Sequence, residues 1–548
     1  MSIGVVKTTS GPVKGLEMDG EYSGLTDFRG IPYAKPPIGE LRWRAPVDME
    51  PWEDVLVCDK YKKYAVQTGE KDPGAMSEDC LYINITTPAK SADEKLPVLV
   101  WFHGGGLTNG HVQPGNMDAY IPHNFAKRGI VVASITHRIN IFGFMALPQM
   151  SAEQGGTSGY YGVQDLIKGF NWIYDNIEAF GGDRNNISTA GCSGGNSKTN
   201  LLAALPAGRN RIRRIYCSSG LRWMQMPFTT LKQAEEEGQR YLEYIGLDPD
   251  TPMDELRKLS TWEIHQEVPR DVYPSGIIYD GVNVPEPSYH ELFNRYLGDV
   301  DFINVCSQGE SNIFATHGQD GTFGDFRGDI APIKDSESFH AFFRERLGDL
   351  YDKYDFGDLV KVADEDALYT AKILGSVGLA QLASNNHSRN VMVNRLFGCY
   401  MKKYHPASRV YTLLWAHTAM KHSKKNTADI DPKHIMADHG TDPRYVFENF
   451  DDTAEAEWGE VDYRLGELFG AYFANFCKNG DVNGEGLPYW PETGDGYAYM
   501  EAKDGPVLHE GLEGRLDELA REYVLREYGI DKELFTNVCV NNPLAKQK

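Results

Sequence analysis

A serine set between close glycines, Gly191-Cys192-Ser193-Gly194-Gly195, is the pattern in this chain best suited to covalent chemistry. The short apolar run before it, Asn186 to Ala190, predicts a buried strand. Ser197 to Leu205, stopped by Pro206-Ala207-Gly208, predicts a helix. So sharp a strand-to-helix turn presents a serine hydroxyl outward on strained backbone, and flanking side chains larger than glycine would clash. A chain with 56 glycines also produces such a pattern by chance, so the serine needs a base, an acid and an oxyanion site from elsewhere.

His103-Gly104-Gly105-Gly106-Leu107 follows another apolar run directly. Adjacent glycines let successive backbone N–H groups turn toward one point, where the developing oxyanion of an acyl transfer would sit. Gly105 and Gly106 are the expected donors and Gly194, just after the serine, the third; on its own the loop reads equally as a flexible turn. A serine hydroxyl also needs an imidazole to take its proton and a carboxylate to orient that imidazole. Among 15 histidines, His439 in the polar turn Asp438-His439-Gly440-Thr441-Asp442 is favoured, with His434, His422 and His417 as competitors. Glu310, just past the strand predicted to end at Cys306, stands where a loop acid belongs, although a surface glutamate would look the same. The order serine, acid, histidine is that of an α/β-hydrolase.

The elements that must position these residues are legible as apolar runs. Leu96–Phe102 and Gly129–Ile135 are continuous and of strand length, and Asp301–Cys306 and Arg409–Trp415 resemble them. Between Gln164 and Phe180 apolar residues recur at helical spacing, and Asp462 to Lys478 predicts another helix. Alternating buried strands and helices predict an α/β fold: a central, mostly parallel twisted sheet with helices on both faces. No repeat or long linker divides residues 1–548, so a single domain is expected. Two charged, helix-rich stretches, 229–270 and 333–398, are expected as insertions over the C-terminal edge of the sheet.

Composition narrows the function. Fifty-five basic against 78 acidic residues give a formal charge of −23, the wrong sign for a nucleic-acid partner. No apolar run reaches membrane-spanning length. The N-terminus enters a strand pattern without an apolar leader, and the eight cysteines show neither metal-ligand spacing nor the density of a disulfide framework. Reduced thiols and a cytoplasmic location are therefore expected.

Taken in order, the motifs resemble the type-B carboxylesterase/cholinesterase family, in character its soluble bacterial para-nitrobenzyl-esterase-like members. Phe28-Arg29-Gly30-Ile31-Pro32-Tyr33-Ala34 with Leu41-Arg42-Trp43, and Ser77-Glu78-Asp79-Cys80-Leu81-Tyr82, look like its two N-terminal signatures. The glycine loop, Phe180-Gly181-Gly182-Asp183, the serine turn, the segment from Ile303 to Gly318, His439-Gly440 and Trp490-Pro491 follow in the family's order. The resemblance implies an α/β-hydrolase with Ser193, Glu310 and His439 as triad and Gly105, Gly106 and Gly194 as oxyanion donors. It implies a substrate pocket near Leu107, Trp223, Met224 and Phe314, a small-molecule ester as substrate, and neither cofactor nor metal.

The chain also departs from the pattern. Members usually carry Glu-Ser-Ala at the turn, where this sequence has Cys192-Ser193-Gly194. The family glutamate belongs to a buried polar network behind the histidine, of which Ser219 and Asp442 match other members. Ala65 stands where secreted members place the disulfide partner of Cys80, and the stretch from Ala65 to Cys80 lacks the choline-binding tryptophan, which argues against a cholinesterase. The expected activity is ester hydrolysis through an acyl-enzyme. The same triad acting on amides, carbamates or lactones, or as an acyltransferase, is the alternative, and a non-catalytic interaction protein of the same fold is the more distant one.

Overall fold

Buried and exposed residues alternate in the first strands, β1 (Val5–Lys7) and β2 (Pro12–Glu17), as they must where a sheet has one face on the core and one in solvent. The two pair antiparallel, and β2 pairs antiparallel with β3 (Thr26–Pro32) and parallel with the short β4 (Leu56–Cys58). These belong to a computed structural model that describes residues 2–68, 72–115, 120–224, 227–269, 272–274, 276–310, 333–379, 390–418, 436–437, 439–450 and 458–530. The chain forms two compact units, Met1–Ile215 with Pro227–Gly298, and Tyr216–Met226 with Asp299–Lys548.

In the first unit β5 (Tyr82–Thr87), β6 (Leu96–Phe102), β7 (Val131–Ile135) and β8 (Gly182–Cys192) complete the order β1-β2-β3-β5-β7-β6-β8. The predicted apolar runs are thus strands, and β7, β6 and β8 are mutually parallel. β3, β5 and β7 are antiparallel neighbours, so the expected parallel sheet is found in the middle and the N-terminal strands form an antiparallel margin. The helix expected between Gln164 and Phe180 spans Tyr161–Asn176 and continues as a 3₁₀ turn to Phe180.

An ion pair joins the two N-terminal signatures: Arg42 grips Glu78 bidentately, Nε to Oε2 at 2.7 Å and Nη2 to Oε1 at 2.6 Å, with both side chains buried. Arg42 Nη1 also donates to the carbonyls of Leu256 and Leu259. That arginine therefore ties down the first predicted insertion, which carries the helix Leu231–Tyr244 and the short helices Met253–Leu256 and Thr261–Ile264. Tyr241, Leu242, Leu256 and Ile264 bury their side chains in one cluster with Trp43 and Phe142, so this stretch is part of the hydrophobic core.

β9 (Ile212–Ser218) carries the chain from the first unit into the second, and β10 (Thr229–Thr230) and β11 (Ile278–Tyr279) form a small parallel pair in the first. In the second unit β12 (Asp301–Ser307) lies parallel to the fully buried β13 (Val410–Trp415), from Phe302 opposite Val410 to Ser307 opposite Trp415. β14 (Tyr499–Ala502) continues parallel, and β15 (Pro506–His509) closes this side antiparallel. The second predicted insertion is helical, with helices at Ser336–Leu347 and Ala367–Val377. Its end belongs to the core: the helix Val391–Tyr404 is buried from Val391 to Met401 and packs on β13. The helix expected at Asp462–Lys478 spans Glu460–Asn479. Among the described residues no helix is long and apolar enough to cross a membrane.

Candidate active site

β8 ends at Cys192 and a helix, Gly194–Ala204, starts two residues later, so the whole change of direction falls on Ser193. Its backbone has φ +52° and ψ −114°, a left-handed conformation that costs a non-glycine residue about 1–3 kcal/mol. The turn closes only because its flanks are glycine. A Cβ on Gly191 would lie 2.5 Å from the Gly195 carbonyl carbon, and one on Gly195 would lie 2.2 Å from the Phe102 oxygen. Ser193 remains partly exposed, while Cys192 and every residue from Gly194 to Ala204 are buried.

The glycine loop leaves the end of β6, and Gly105 and Gly106 take positive φ values of 83° and 65°. Gly105 O accepts from the N–H groups of Thr108 and Asn109 at 3.3 and 3.0 Å, and Leu107 O accepts from Asn140 N at 2.7 Å. The loop meets the serine turn at Gly194, where a Cβ would stand 2.1 Å from the Gly106 carbonyl oxygen. Two of the three glycines expected as oxyanion donors, Gly106 and Gly194, are therefore in direct backbone contact, and Gly105 precedes Gly106 in the loop. Beneath it lies Lys198, a residue the sequence reading passed over. Its side chain is buried, and its ammonium donates to His103 O at 2.8 Å.

In the second unit Glu310 follows β12 after one tight turn. Its Oε1 accepts from Ser307 N at 2.9 Å, and its Oε2 makes a short hydrogen bond with His439 Nδ1. Gly309 N donates to Ala437 O at 2.8 Å, tying the segment that bears the acid to the one that bears the histidine. Past His439, Gly440 N donates to Ser219 Oγ at 3.0 Å, and Ser219 N in turn donates to Val305 O of β12 at 2.9 Å. Asp442 is fully buried and accepts from Ser218 Oγ at 2.8 Å and from the Tyr216 hydroxyl. Burial raises its pKa to about 7, aided by the nearby Glu310 charge and opposed by the two hydroxyl donors.

This geometry separates the histidines. His417 bonds through Nε2 to Asp462 Oδ1 at 2.9 Å and lies 3.4 Å from Asp504, a different carboxylate pair. His422 and His434 lie outside the described residues, as does Phe314. Trp223, expected in the substrate pocket, is core: its ring packs on Phe397 and Tyr400 at centroid distances of 5.5 and 5.0 Å. The indole buries a large apolar area against those two rings, and so little of it is left exposed that it serves packing. Met224 and Leu107 are each at the margin of burial, 9% exposed. Cys80, the position that bears a disulfide in secreted members, is a free thiol.

The profile of the carboxylesterase family matches residues 2–519. A fumonisin B1 esterase of Sphingopyxis macrogoltabida is 28% identical over 502 residues, 88% of this chain and 83% of that protein. A pyrethroid hydrolase, Ces2e of Rattus norvegicus, is 27% identical over 535 residues, 93% and 88% of the two chains. Among solved structures, a PNB esterase superposes with a TM-score of 0.70 at 23% identity, covering 94% of this chain and 99% of its own. The Geobacillus stearothermophilus carboxylesterase EST55 gives 0.69 at 22% identity over the same shares. Those likenesses establish the α/β-hydrolase fold, and the profile spans nearly the whole sequence. The chain belongs to the carboxylesterase family and is a serine hydrolase of carboxylic esters.

Proposed function

We propose that Ser193 is the nucleophile, His439 the general base and Glu310 the carboxylate that orients it. Ser193 Oγ adds to the ester carbonyl as its proton passes to His439, and the tetrahedral oxyanion is held by the N–H groups of Gly105, Gly106 and Gly194. His439 then gives that proton to the departing alcohol. Water, deprotonated by His439, attacks the acyl-serine and releases the carboxylic acid. The observation that carries this reading is the Glu310–His439 bond, with the Glu310 carboxylate itself anchored by Ser307 N–H. A carboxylate so held fixes Nδ1 as the protonated nitrogen and leaves Nε2 for the base. Ser219 and Asp442 support the histidine segment from behind, Ser219 through Gly440 N and Asp442 through the hydroxyls of β9. Cys192 occupies the family's glutamate position without supplying its charge.

The substrate we infer is a small ester with an apolar acyl group. Leu107, directly after the oxyanion glycines, supports that choice, and Met224 is a second candidate lining residue. The free Cys80 thiol supports a cytoplasmic location. Labelling with a fluorophosphonate followed by peptide mapping tests the assignment. Modification at Ser193, blocked in Ser193→Ala along with ester hydrolysis, is expected. An unmodified Ser193, or full esterase activity in Ser193→Ala, overturns it.

A further inference from the structure

We propose that Lys198 is a positioning residue for ester hydrolysis, its buried ammonium fixing and polarising the start of the oxyanion loop through the His103 carbonyl. The proposal rests on the reading of Gly105, Gly106 and Gly194 as oxyanion donors.

Lys198 sits one turn into the helix that begins at the serine turn, and its side chain crosses to the first residue of the glycine loop. Nζ donates to His103 O at 2.8 Å and lies 3.3 Å from His103 Nδ1. The Nδ1 atom is also 2.9 Å from Gly104 O. A neutral imidazole Nδ1 can donate to Gly104 O or accept from Lys198, but not both, so the bond to the His103 carbonyl is the one that holds in either tautomer. His137 stacks on His103 with ring centroids 5.1 Å apart, and its own Nδ1 is 2.8 Å from Arg138 O. Burial, reinforced by the Lys198 charge, holds both imidazoles well below their usual pKa, so the rings add no second positive charge.

The consequence is electrostatic as well as mechanical. A cation on a carbonyl oxygen draws electron density from that peptide and is worth most in a low-dielectric interior. The peptide in question leads directly into Gly104-Gly105-Gly106, whose backbone touches Gly194. Cys192 stands where the family has a glutamate, so that position of the turn supplies no carboxylate to offset the Lys198 ammonium on the His103 carbonyl. Both features favour an anion forming at the loop, which is what the transition state for acyl transfer presents. An interaction made stronger only in the transition state appears in kcat and leaves KM nearly unchanged.

The test compares Lys198→Met, which keeps the length without donor or charge, with Lys198→Gln, which keeps a neutral donor. Circular dichroism and the urea midpoint verify folding, and kcat and KM are measured on a p-nitrophenyl ester. Losing one direct oxyanion donor costs about 10²–10³-fold in kcat, and a group acting one peptide away should cost about 10–100-fold. We expect such a fall in kcat for Lys198→Met, KM within about twofold, an intermediate kcat for Lys198→Gln, and fluorophosphonate labelling slowed in parallel. A folded Lys198→Met with kcat within about threefold of wild type, or a loss carried by KM, overturns the proposal. If Lys198→Met does not accumulate folded, Lys198→Gln decides, and a wild-type kcat there overturns it equally. Labelling of Ser193 in the wild-type protein separates the two readings. If Ser193 is labelled while both variants keep wild-type kcat, only the role of Lys198 falls.

Discussion

The Cα of Gly194 is packed so closely against Gly106 that a Cβ there would stand 2.1 Å from the Gly106 carbonyl oxygen. The obstacle is backbone, which cannot rotate aside as a flexible side-chain tip could. Gly194→Ala, which introduces the alanine usual in the family, is therefore expected to displace the glycine loop proposed to hold the oxyanion and lower kcat by at least about tenfold. Steady-state kinetics on a chromogenic ester check this. An unchanged kcat would mean that the loop can retreat without cost.

Glu310 makes its decisive contacts with one backbone N–H and one imidazole nitrogen. Glu310→Gln keeps the shape but offers an amide where Nδ1–H needs an acceptor, favouring the wrong tautomer of His439. A drop in kcat of about 10³–10⁴-fold with little change in the urea midpoint is expected. His417→Gln should do the reverse, because His417 serves the separate Asp462 pair: kcat stays near wild type while stability falls.

Asp442 makes a prediction about pH. Its carboxyl ionises at about 7 in the folded protein against an ordinary value of 3.8, chiefly because it is buried. The native state therefore holds the proton more tightly than the unfolded chain does. Stability from this group is fully present below the ordinary value, declines as pH rises through the interval, and is lost once pH passes about 7. Asp442→Asn, permanently uncharged, should gain stability relative to wild type as pH is raised from 5 to 8, by a few kcal/mol at most. Urea midpoints of both proteins across that range decide it. A difference independent of pH would show that Asp442 does not titrate there.

The Arg42–Glu78 pair ties the two N-terminal signatures and the first helical insertion together. Glu78→Ala leaves a guanidinium buried without its carboxylate, a change that costs about 3–5 kcal/mol. Chemical denaturation should register that loss, with kcat per folded molecule largely retained.

The parts of the molecule legible in the sequence are those governed by short-range rules. β6 and β7 fall on largely apolar runs, as burial on both faces favours, and the buried parts of β8, β12 and β13 are mixed runs that also enclose Ser188, Thr189, Asn304 and Thr412. The serine turn and glycine loop were visible because a backbone that must turn sharply or approach closely selects glycine. His439 was favoured but not separated by chemistry from His417, since partner choice depends on residues far along the chain: Glu310 for one, Asp462 for the other. The antiparallel margin from β1 to β5 was less legible: β1 and β4 are only three residues long and β2 is half-exposed, while β3 and β5 are buried but overlap the two N-terminal signatures, which were read as motifs and not as strands. Trp223 was misread because an apolar residue near a site looks the same in sequence whether it lines a pocket or packs on Phe397 and Tyr400. Lys198 escaped notice for the converse reason: lysines are ordinarily solvated, and only coordinates show that this one is not.

The positive φ of Ser193 also bears on how durable the protein can be. Glycine adopts that conformation freely, so Ser193→Gly should remove the local strain and raise the free energy of unfolding by about 1 kcal/mol while abolishing hydrolysis. Selection for thermal endurance alone would thus drift toward an inert protein at this position. A library screened only for heat resistance is expected to enrich glycine at residue 193, and the serine survives only where turnover is selected with it.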